Sequence, residues 1–241
     1  MTRLLLSVGR RVRMRHFRTA LDAVGSPRSV LDAGCGDGQV AIAVASQFPL
    51  ADVLACDIDE SSLIEARRAV SRFPSIELRK AVVGGPNLGR RFDLAICVDV
   101  LEHIPDAQAA FRWLAAHLEP GGSLIAHVPA RGQRHWLRSV AQAMEAELAA
   151  GHGPHVREGF SSQELRALAV DSGLDVACLE STFHSSLTQA AADLDTWTYL
   201  RRARWIKAIL LPLLLGLGSF ERSPSDRPGN GLLLIARAPS C

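Results

Sequence analysis

The stretch Val30-Leu31-Asp32-Ala33-Gly34-Cys35-Gly36-Asp37-Gly38 carries the fold. A short apolar run, bounded by Pro27, ends in an acid; a glycine-rich turn follows, and helical periodicity begins near Gln39. Val40, Ala41, Val44, Ala45 and Phe48 then recur on one helical face. Glycines between a strand and a helix let a ligand approach backbone amides at the helix N-terminus. A second acid, Asp57, closes the next apolar run. It stands about 20 residues on, where folds of this kind hydrogen-bond a ribose diol. Turn and acid together call for a ligand that carries adenosine.

Charge selects among such ligands. The spacing is Gly34-x-Gly36-x-Gly38 rather than G-x-G-x-x-G, with Asp32 before the turn and Asp37 inside it. Two carboxylates beside a pyrophosphate repel it. S-adenosylmethionine has no phosphate and carries an ammonium and a sulfonium, so the acids that count against NAD favour it. The plainer alternative for Asp32 is a strand-end acid that caps the following turn.

Outward from this stretch, short β-like runs alternate with helical periodicity, the sequence form of a parallel sheet covered on both faces. Strands are expected at Ser29–Ala33, Val53–Cys56, Ile76–Val83, Phe92–Val98, Ser123–Val128, Leu174–Leu179 and Leu232–Ala236. Ala107, Ala110, Phe111, Leu114 and Leu118 mark a further helix, and Ser161 with Glu164 forms a capping-box pattern. Gly173 sits where that last helix would stop, and Pro120-Gly121-Gly122 is expected as a turn feeding a strand. Two segments are additions to the alternation: residues 1–26, read as a basic surface helix, and residues 185–222, read as a helical, apolar insertion or cap.

The chain has 241 residues, 48% of them hydrophobic and 22% charged, which suits a single α/β domain spanning 1–241 and excludes disorder and low-complexity repeats. A net charge of +2 leaves no global field for nucleic acid, and the basic segments lack interleaved aromatics for base stacking. The cysteines (Cys35, Cys56, Cys97, Cys178, Cys241) form no C-x-x-C pair, which suits free thiols in a reducing, cytoplasmic compartment. The N-terminus is arginine-rich but has no secretory h-region; a transit peptide shares its composition. Ala208–Leu217 is too short to span a bilayer and contains Pro212. With the preceding basic cluster and Trp205, residues 201–217 suit either a helix packed on the sheet or an interfacial helix on a membrane surface.

These motifs resemble the class I S-adenosylmethionine-dependent methyltransferases, in particular the broad bacterial type 11 group. The likeness rests on Val30–Gly38, on Cys56-Asp57-Ile58-Asp59, on Phe92–Ile96 running into Asp99-Val100-Leu101-Glu102-His103-Ile104, and on Leu118–Leu124. It covers roughly Ser29–Gly173 and returns at the last strand. It implies a doubly wound, Rossmann-like α/β sheet of seven strands, order 3-2-1-4-5-7-6, with strand 7 antiparallel. It also implies that Asp32, Gly34, Cys35 and Gly36 hold the methionine end of the cofactor and Asp57 the ribose. Ile58 would pack on adenine, and Val100 and Leu101 would line the methionine and the route to the acceptor. One departure is visible: the acid expected after strand three is replaced by Val82-Val83-Gly84-Gly85-Pro86, so backbone carbonyls or Asn87 would have to meet the adenine.

Methyl transfer from a sulfonium needs alignment and exclusion of water, and an oxygen acceptor also needs a base. His103 follows strand four at the carboxyl edge, where ligands of open α/β sheets collect; its bland alternative is a helix-entry histidine bonded to a carbonyl. His155, in a stretch resembling the HVRxF segment of the same group, is the second candidate base. Glu102 is expected to be a structural partner rather than a base. His127, Arg131 and Arg157 are candidate acceptor contacts. His152 and His155 lack an evident third ligand, so no metal is expected. The leucine- and tryptophan-rich insertion favours a small acceptor that is apolar or lipid-linked, most simply methylated on oxygen. The competing readings are a cofactor-binding scaffold without turnover and an NAD oxidoreductase of similar winding.

Overall fold

The computed structural model of the protein describes residues 7–150, 156–201, 203–218, 221 and 228–240. The central strands are β1 (Ser29–Ala33), β2 (Asp52–Asp57), β3 (Ile76–Lys80) and β4 (Phe92–Val98), followed by β5 (Leu118–Pro129), β6 (Asp175–Thr182) and β7 (Gly231–Arg237). They form one sheet in the order β3-β2-β1-β4-β5-β7-β6. β1 to β5 run parallel, and β7 is antiparallel to both β5 and β6. The expected topology is therefore the observed one.

Both faces are covered, as the near-continuous apolar strands require. Alternate residues of one strand serve opposite cores. Leu31, Leu54 and Phe92 pack with Phe111, Leu114 and Leu165, which come from α4 (Ala107–Ala116) and α6 (Ser162–Val170). Val30, Val53 and Leu94 pack with Phe17, Val44 and Leu63 on the other face. Those three belong to α1 (Val8–Ala23), α2 (Gln39–Gln47) and α3 (Glu60–Ala69). A fully buried side chain of this size contributes about 1.5–3 kcal/mol. The capping box forms as read: the Glu164 amide donates to Ser161 Oγ at 3.2 Å, and the Ser161 amide donates to Glu164 Oε2 at 2.8 Å.

Three strand limits differ from expectation by three residues or more, one of them the end of β6, which runs on to Thr182. β3 stops at Lys80 because the apolar residues Ala81, Val82 and Val83 line a cavity instead of continuing the ladder. β5 begins at Leu118, ahead of the glycines; a register shift opposite Phe92 and Leu94 absorbs the extra residues, with Gly121 at φ 77°.

The two added segments meet. α5 (Arg138–Ala150) lies between β5 and α6, while α7 (Ser186–Leu200) and α8 (Arg204–Gly218) lie between β6 and β7. α8 continues through the exposed Pro212, at the loss of one helical hydrogen bond. Leu214 of α8 and Ala191 of α7 form a small core with Val8 and Val12 of α1. α1 is thus no plain surface helix: Val8, Val12, His16, Phe17, Ala20 and Leu21 are all buried.

A buried carboxylate ties α1 to this cap. Glu221 Oε1 accepts from His16 Nε2 at 2.8 Å and from the Phe183 amide, and the Glu221 carbonyl accepts from Arg15 Nη1 at 2.8 Å. Burial works to raise the Glu221 carboxyl, but His16, His184 and the Phe183 amide hold it below the ordinary glutamate value. Its contribution is therefore present above the unfolded glutamate range and is lost as pH falls through the lower folded value. Glu221→Ala is expected to cost about 3 kcal/mol in urea denaturation at pH 7. The deficit against the parent should shrink below about pH 4. A loss under about 0.5 kcal/mol, the size of an ordinary surface substitution, would show that Glu221 does not hold α1.

Candidate active site

The turn after β1 is built by its neighbours. The amides of Gly34 and Cys35 both donate to the Cys56 carbonyl at 2.8 Å, which clamps the turn to the end of β2. Gly34 adopts φ 83°, and a Cβ there would lie 2.3 Å from Val100 Cγ2, in the segment that leaves β4. Gly36, at φ 52°, faces open space. Its amide donates to Asp57 Oδ2 at 2.8 Å, while Asp57 Oδ1 accepts from the Asp59 amide at 2.9 Å. A carboxylate has about four lone-pair sites, so Asp57 keeps acceptors for a further donor.

Above this turn lies a cavity of about 750 Å³. Of the sequence-predicted cofactor residues, Gly34, Cys35, Gly36, Asp57, Ile58 and Val100 line it. Ile58 is 62% exposed, an apolar plate beside Asp57. Burial, then Asp32 and Asp57, push the Cys35 thiol up, so it offers no thiolate. Two expected contacts are displaced. Leu101 is fully buried in the core and leaves the lining to Val100. Asp32 is 1% exposed, lies behind the turn and does not line the cavity. Asn87 also points elsewhere, its Oδ1 accepting from the Gly89 amide at 2.7 Å, and the segment Ala81–Val83 occupies the position expected for an adenine partner.

Of the lining residues that went unrecognised in the sequence, three are on α1: Arg10, Arg13 and Met14. Arg10 Nη1 pairs with Asp37 Oδ2 at 2.7 Å, and Arg13 Nη1 with Asp99 Oδ2 at 2.6 Å. The only available signal was the three-residue spacing of the arginines, off the stripe of Val8, Val12 and His16.

A second cavity, about 400 Å³, adjoins the first and shares Arg13, Asp99 and His103 with it. Gln133 and His135, between β5 and α5, line it with Ala192, Asp193 and Thr196 of α7 and with Gly9 and Arg13 of α1, so both added segments border it. His127 is 4% exposed on its wall; Nδ1 bonds Asp99 Oδ1 at 2.8 Å and Nε2 bonds Thr182 Oγ1 at 3.0 Å. Burial, ahead of the opposing effect of Asp99, lowers the His127 pKa. Asp99 shows the reverse outcome: burial works upward, but Arg13 and His127 bring it down to about 2. Glu102 lies within the same wall, 1% exposed, with Oε2 lacking a protein partner. Burial and Asp99 raise its carboxyl to about 8, so it holds a proton at neutral pH. His103 Nε2 stands 3.9 Å from Glu102 Oε1.

Arg131 and Arg157 are not part of either cavity. Arg131 pairs with Glu164 at 2.8 Å at the exposed start of α6. Arg157 lies over the Phe160 ring and donates to the carbonyls of Ile104 and Pro105, bracing the segment after β4. Long side chains in a loop have a wide reach, and here nearby acceptors capture both. His155 lies outside the described residues.

The donor set fits S-adenosylmethionine: a carboxylate at the ribose position, an open glycine turn, an apolar plate, and acids on the side of the cationic methionine. Known proteins agree. A model of the family described as "Methyltransferase domain" matches residues 9–179. The ubiquinone biosynthesis O-methyltransferase of Bordetella avium (strain 197N) is 30% identical over 166 residues, covering 67% of this chain and 68% of that one. Among solved structures, the N-methyltransferase NodS from Bradyrhizobium japonicum WM9, in complex with S-adenosyl-L-homocysteine, aligns with a TM-score of 0.63 at 17% identity. That alignment covers 99% of this chain and 92% of NodS. The O-methyltransferase from a trans-AT polyketide synthase multienzyme of Brevibacillus brevis, also with S-adenosyl-L-homocysteine, aligns at a TM-score of 0.61 and 15% identity. It covers 96% of this chain and 73% of its own. At these identities the two structures speak for the fold.

The raised carboxyl of Asp32 predicts a cofactor affinity that depends on pH. Burial, partly offset by the Ala41 amide and reinforced by Asp57 and Asp37, raises its carboxyl to about 7. A cation nearby favours the ionised form, so binding releases a proton and strengthens as pH rises. S-adenosylmethionine affinity is expected to improve by about tenfold between pH 6 and 8. Asp32→Asn should flatten that slope without lowering the melting temperature at pH 8, since it removes a buried charge. Calorimetry in buffers of different ionisation enthalpy measures both; equal affinity at the two pH values would contradict this role. Gly34→Ala should abolish binding, because the turn must move off Val100.

Proposed function

Since the chain belongs to the class I S-adenosylmethionine-dependent methyltransferases, we propose that it methylates an oxygen of a small acceptor whose reacting end enters the second cavity. One observation carries this reading: Arg13, Asp99 and His103 border both cavities, so a group held in one faces the contents of the other. Bound S-adenosylmethionine supplies a methyl carbon activated by its sulfonium for in-line displacement. Asp57 holds the ribose, Gly34 and Gly36 leave room for the methionine, and Ile58 with Ala81–Val83 receives the adenine. α1 closes over the methionine end and excludes water.

An oxygen acceptor must shed its proton as the new C–O bond forms and the S–C bond breaks. His103 stands where it can take that proton, with Glu102 Oε1 3.9 Å from its Nε2.

The lining of the second cavity bears on the acceptor. Its histidines, carboxylates and amides suit a polar reacting end, because the leucines of the cap are spent on α1: Leu210, Leu214 and Leu217 pack around Val8 and Val12. The apolar part of a lipid-linked acceptor then lies outside. α8 offers a surface for it, with Trp205 and Ile209 each 70% exposed and Leu213 59% exposed at four-residue spacing on one face, and with Arg201 exposed just before the helix. No described helix is long and apolar enough to cross a membrane. The whole chain works in this reading as one methyltransferase domain, with α7 and α8 as its cap and α8 as a peripheral contact with anionic membrane surfaces.

His103→Ala is expected to lower turnover by about 10²-fold while S-adenosylmethionine affinity stays within about twofold. His155→Ala is the parallel test of the second candidate base, and full rate in both variants would remove the histidines from proton transfer. Cofactor binding without turnover on any cell extract would instead favour a scaffold. Trp205→Ser/Ile209→Ser should lose flotation with anionic phosphatidylglycerol vesicles while retaining the parent's melting temperature. Equal flotation would reject the membrane contact.

A further inference from the structure

Three cavities meet at α1. Besides the two described, a third of about 500 Å³ is bordered by Ser7, Gly9, Arg10, Asp37 and Asp195. Among the described residues, Arg13 alone borders all three. Its guanidinium is placed by a relay that crosses four elements. Thr182 at the end of β6 bonds His127 Nε2 at 3.0 Å; His127 Nδ1, from β5, bonds Asp99 Oδ1 at 2.8 Å; Asp99 Oδ2 pairs with Arg13 Nη1 at 2.6 Å. Asp99 adopts φ 53°, a conformation that non-glycine residues seldom take. The residue leaves β4 turned so that its two oxygens serve two different partners.

The charges around the second cavity are unequal in what they have left to give. Asp99 is shared between Arg13 and His127. Asp193 accepts from His135 Nδ1 at 2.9 Å and from the amides of Trp136 and Leu137. Glu102 carries a proton at neutral pH. Arg13 is the one arginine or lysine among the described residues of that lining. Nη1 meets Asp99, whereas Nε is buried with no hydrogen-bond partner. A planar guanidinium has five donors, and its remaining edge matches an anionic oxygen pair. An ammonium group finds the opposite: a fixed cation in front of it, with Asp99 already paired to that cation and Asp193 holding His135 and two backbone amides.

We infer that Arg13, positioned by the Thr182–His127–Asp99 relay, docks an anionic group that the acceptor carries besides the hydroxyl that His103 deprotonates, which makes the substrate class hydroxylated acids such as phenol carboxylates rather than amines or neutral alkyl alcohols. The inference rests on the preceding reading that the second cavity holds the acceptor, and it assigns the relay a use that does not involve proton transfer. His127 is then a positioning residue rather than a contact of the acceptor. It sets Asp99, and through Asp99 the guanidinium.

Three probes of nearly equal shape test this: benzoate, benzyl alcohol and benzylammonium, titrated into the full-length protein saturated with S-adenosyl-L-homocysteine. Benzoate is expected to bind at least about tenfold more tightly than the other two. Arg13→Gln should bring the three within about threefold of one another, and Arg13→Lys, which keeps the charge but loses the fork, should fall between. His127→Leu should erase the preference as Arg13→Gln does. His127→Asn should retain it, because the amide can still donate to Asp99; a merely structural role for His127 would not yield that rescue. Melting temperatures confirm that each variant is folded. A preference that survives Arg13→Gln overturns the inference, as does a loss of S-adenosyl-L-homocysteine affinity with benzoate binding unchanged, which would commit Arg13 to the cofactor's carboxylate. Tighter binding of benzyl alcohol or benzylammonium also overturns it, while leaving the acceptor cavity in place. If no probe binds, the acceptor reading of that cavity falls with it.

Discussion

The winding of the sheet reverses between β1 and β4, and the turns that leave these adjacent strands have almost no space to pass one another. Val100 lies where a side chain on residue 34 would have to be. That contact requires a glycine at 34 and presses the turn against β2, where Cys56 holds two of its amides. Asp57, at the end of the same strand, can then reach the Gly36 amide. The cofactor cavity is what remains above these contacts. Brought together in this way, Asp37 and Asp57 on the cavity wall, with Asp32 buried behind the turn, suit a cationic nucleoside rather than a diphosphate.

The N-terminal helix depends on the same arrangement from the other side. Its apolar stripe joins the sheet core through Phe17 and Leu21 and the cap through Val8 and Val12, while Arg10 and Arg13 reach acids that belong to the β1 and β4 turns. One helix therefore links the turn after β1, the second cavity and the cap. The cap's leucines serve this linkage, which explains how a segment so rich in apolar residues can border a cavity lined mainly by polar ones.

The fold was legible because its signals are local. β1 and β4 have the limits read from their apolar runs, bounded by Pro27 and Gly34 at one strand and by Asp99 at the other. β3 was read too long because Ala81–Val83 has the composition of a strand but lines a cavity; apolar character alone does not say which surface a residue covers. The cofactor turn was legible for the same local reason, since Gly34, Gly36 and Asp57 each satisfy a backbone or ribose requirement within one βαβ unit. Residues placed by tertiary packing were not. Nothing in the sequence near Arg10 and Arg13 says that a helix from the N-terminus lies across the ends of β1 and β4. Nor does anything near Arg131 and Arg157 say that Glu164 and the Ile104–Pro105 carbonyls capture them. The raised proton affinity of Glu102 was not legible because it comes from burial and from Asp99, neither of which a linear pattern displays.

Family membership establishes the cofactor and the type of reaction; the residues assigned to each part of the cofactor rest on the geometry of this chain. A crystal structure with S-adenosyl-L-homocysteine tests that assignment most directly. The account predicts both ribose hydroxyls on Asp57, the adenine between Ile58 and the Ala81–Val83 backbone, and the methionine over Gly34 and Gly36 with its sulfur toward His103. A ribose bound away from Asp57, or a sulfur turned away from the cavity shared by Arg13, Asp99 and His103, would contradict it.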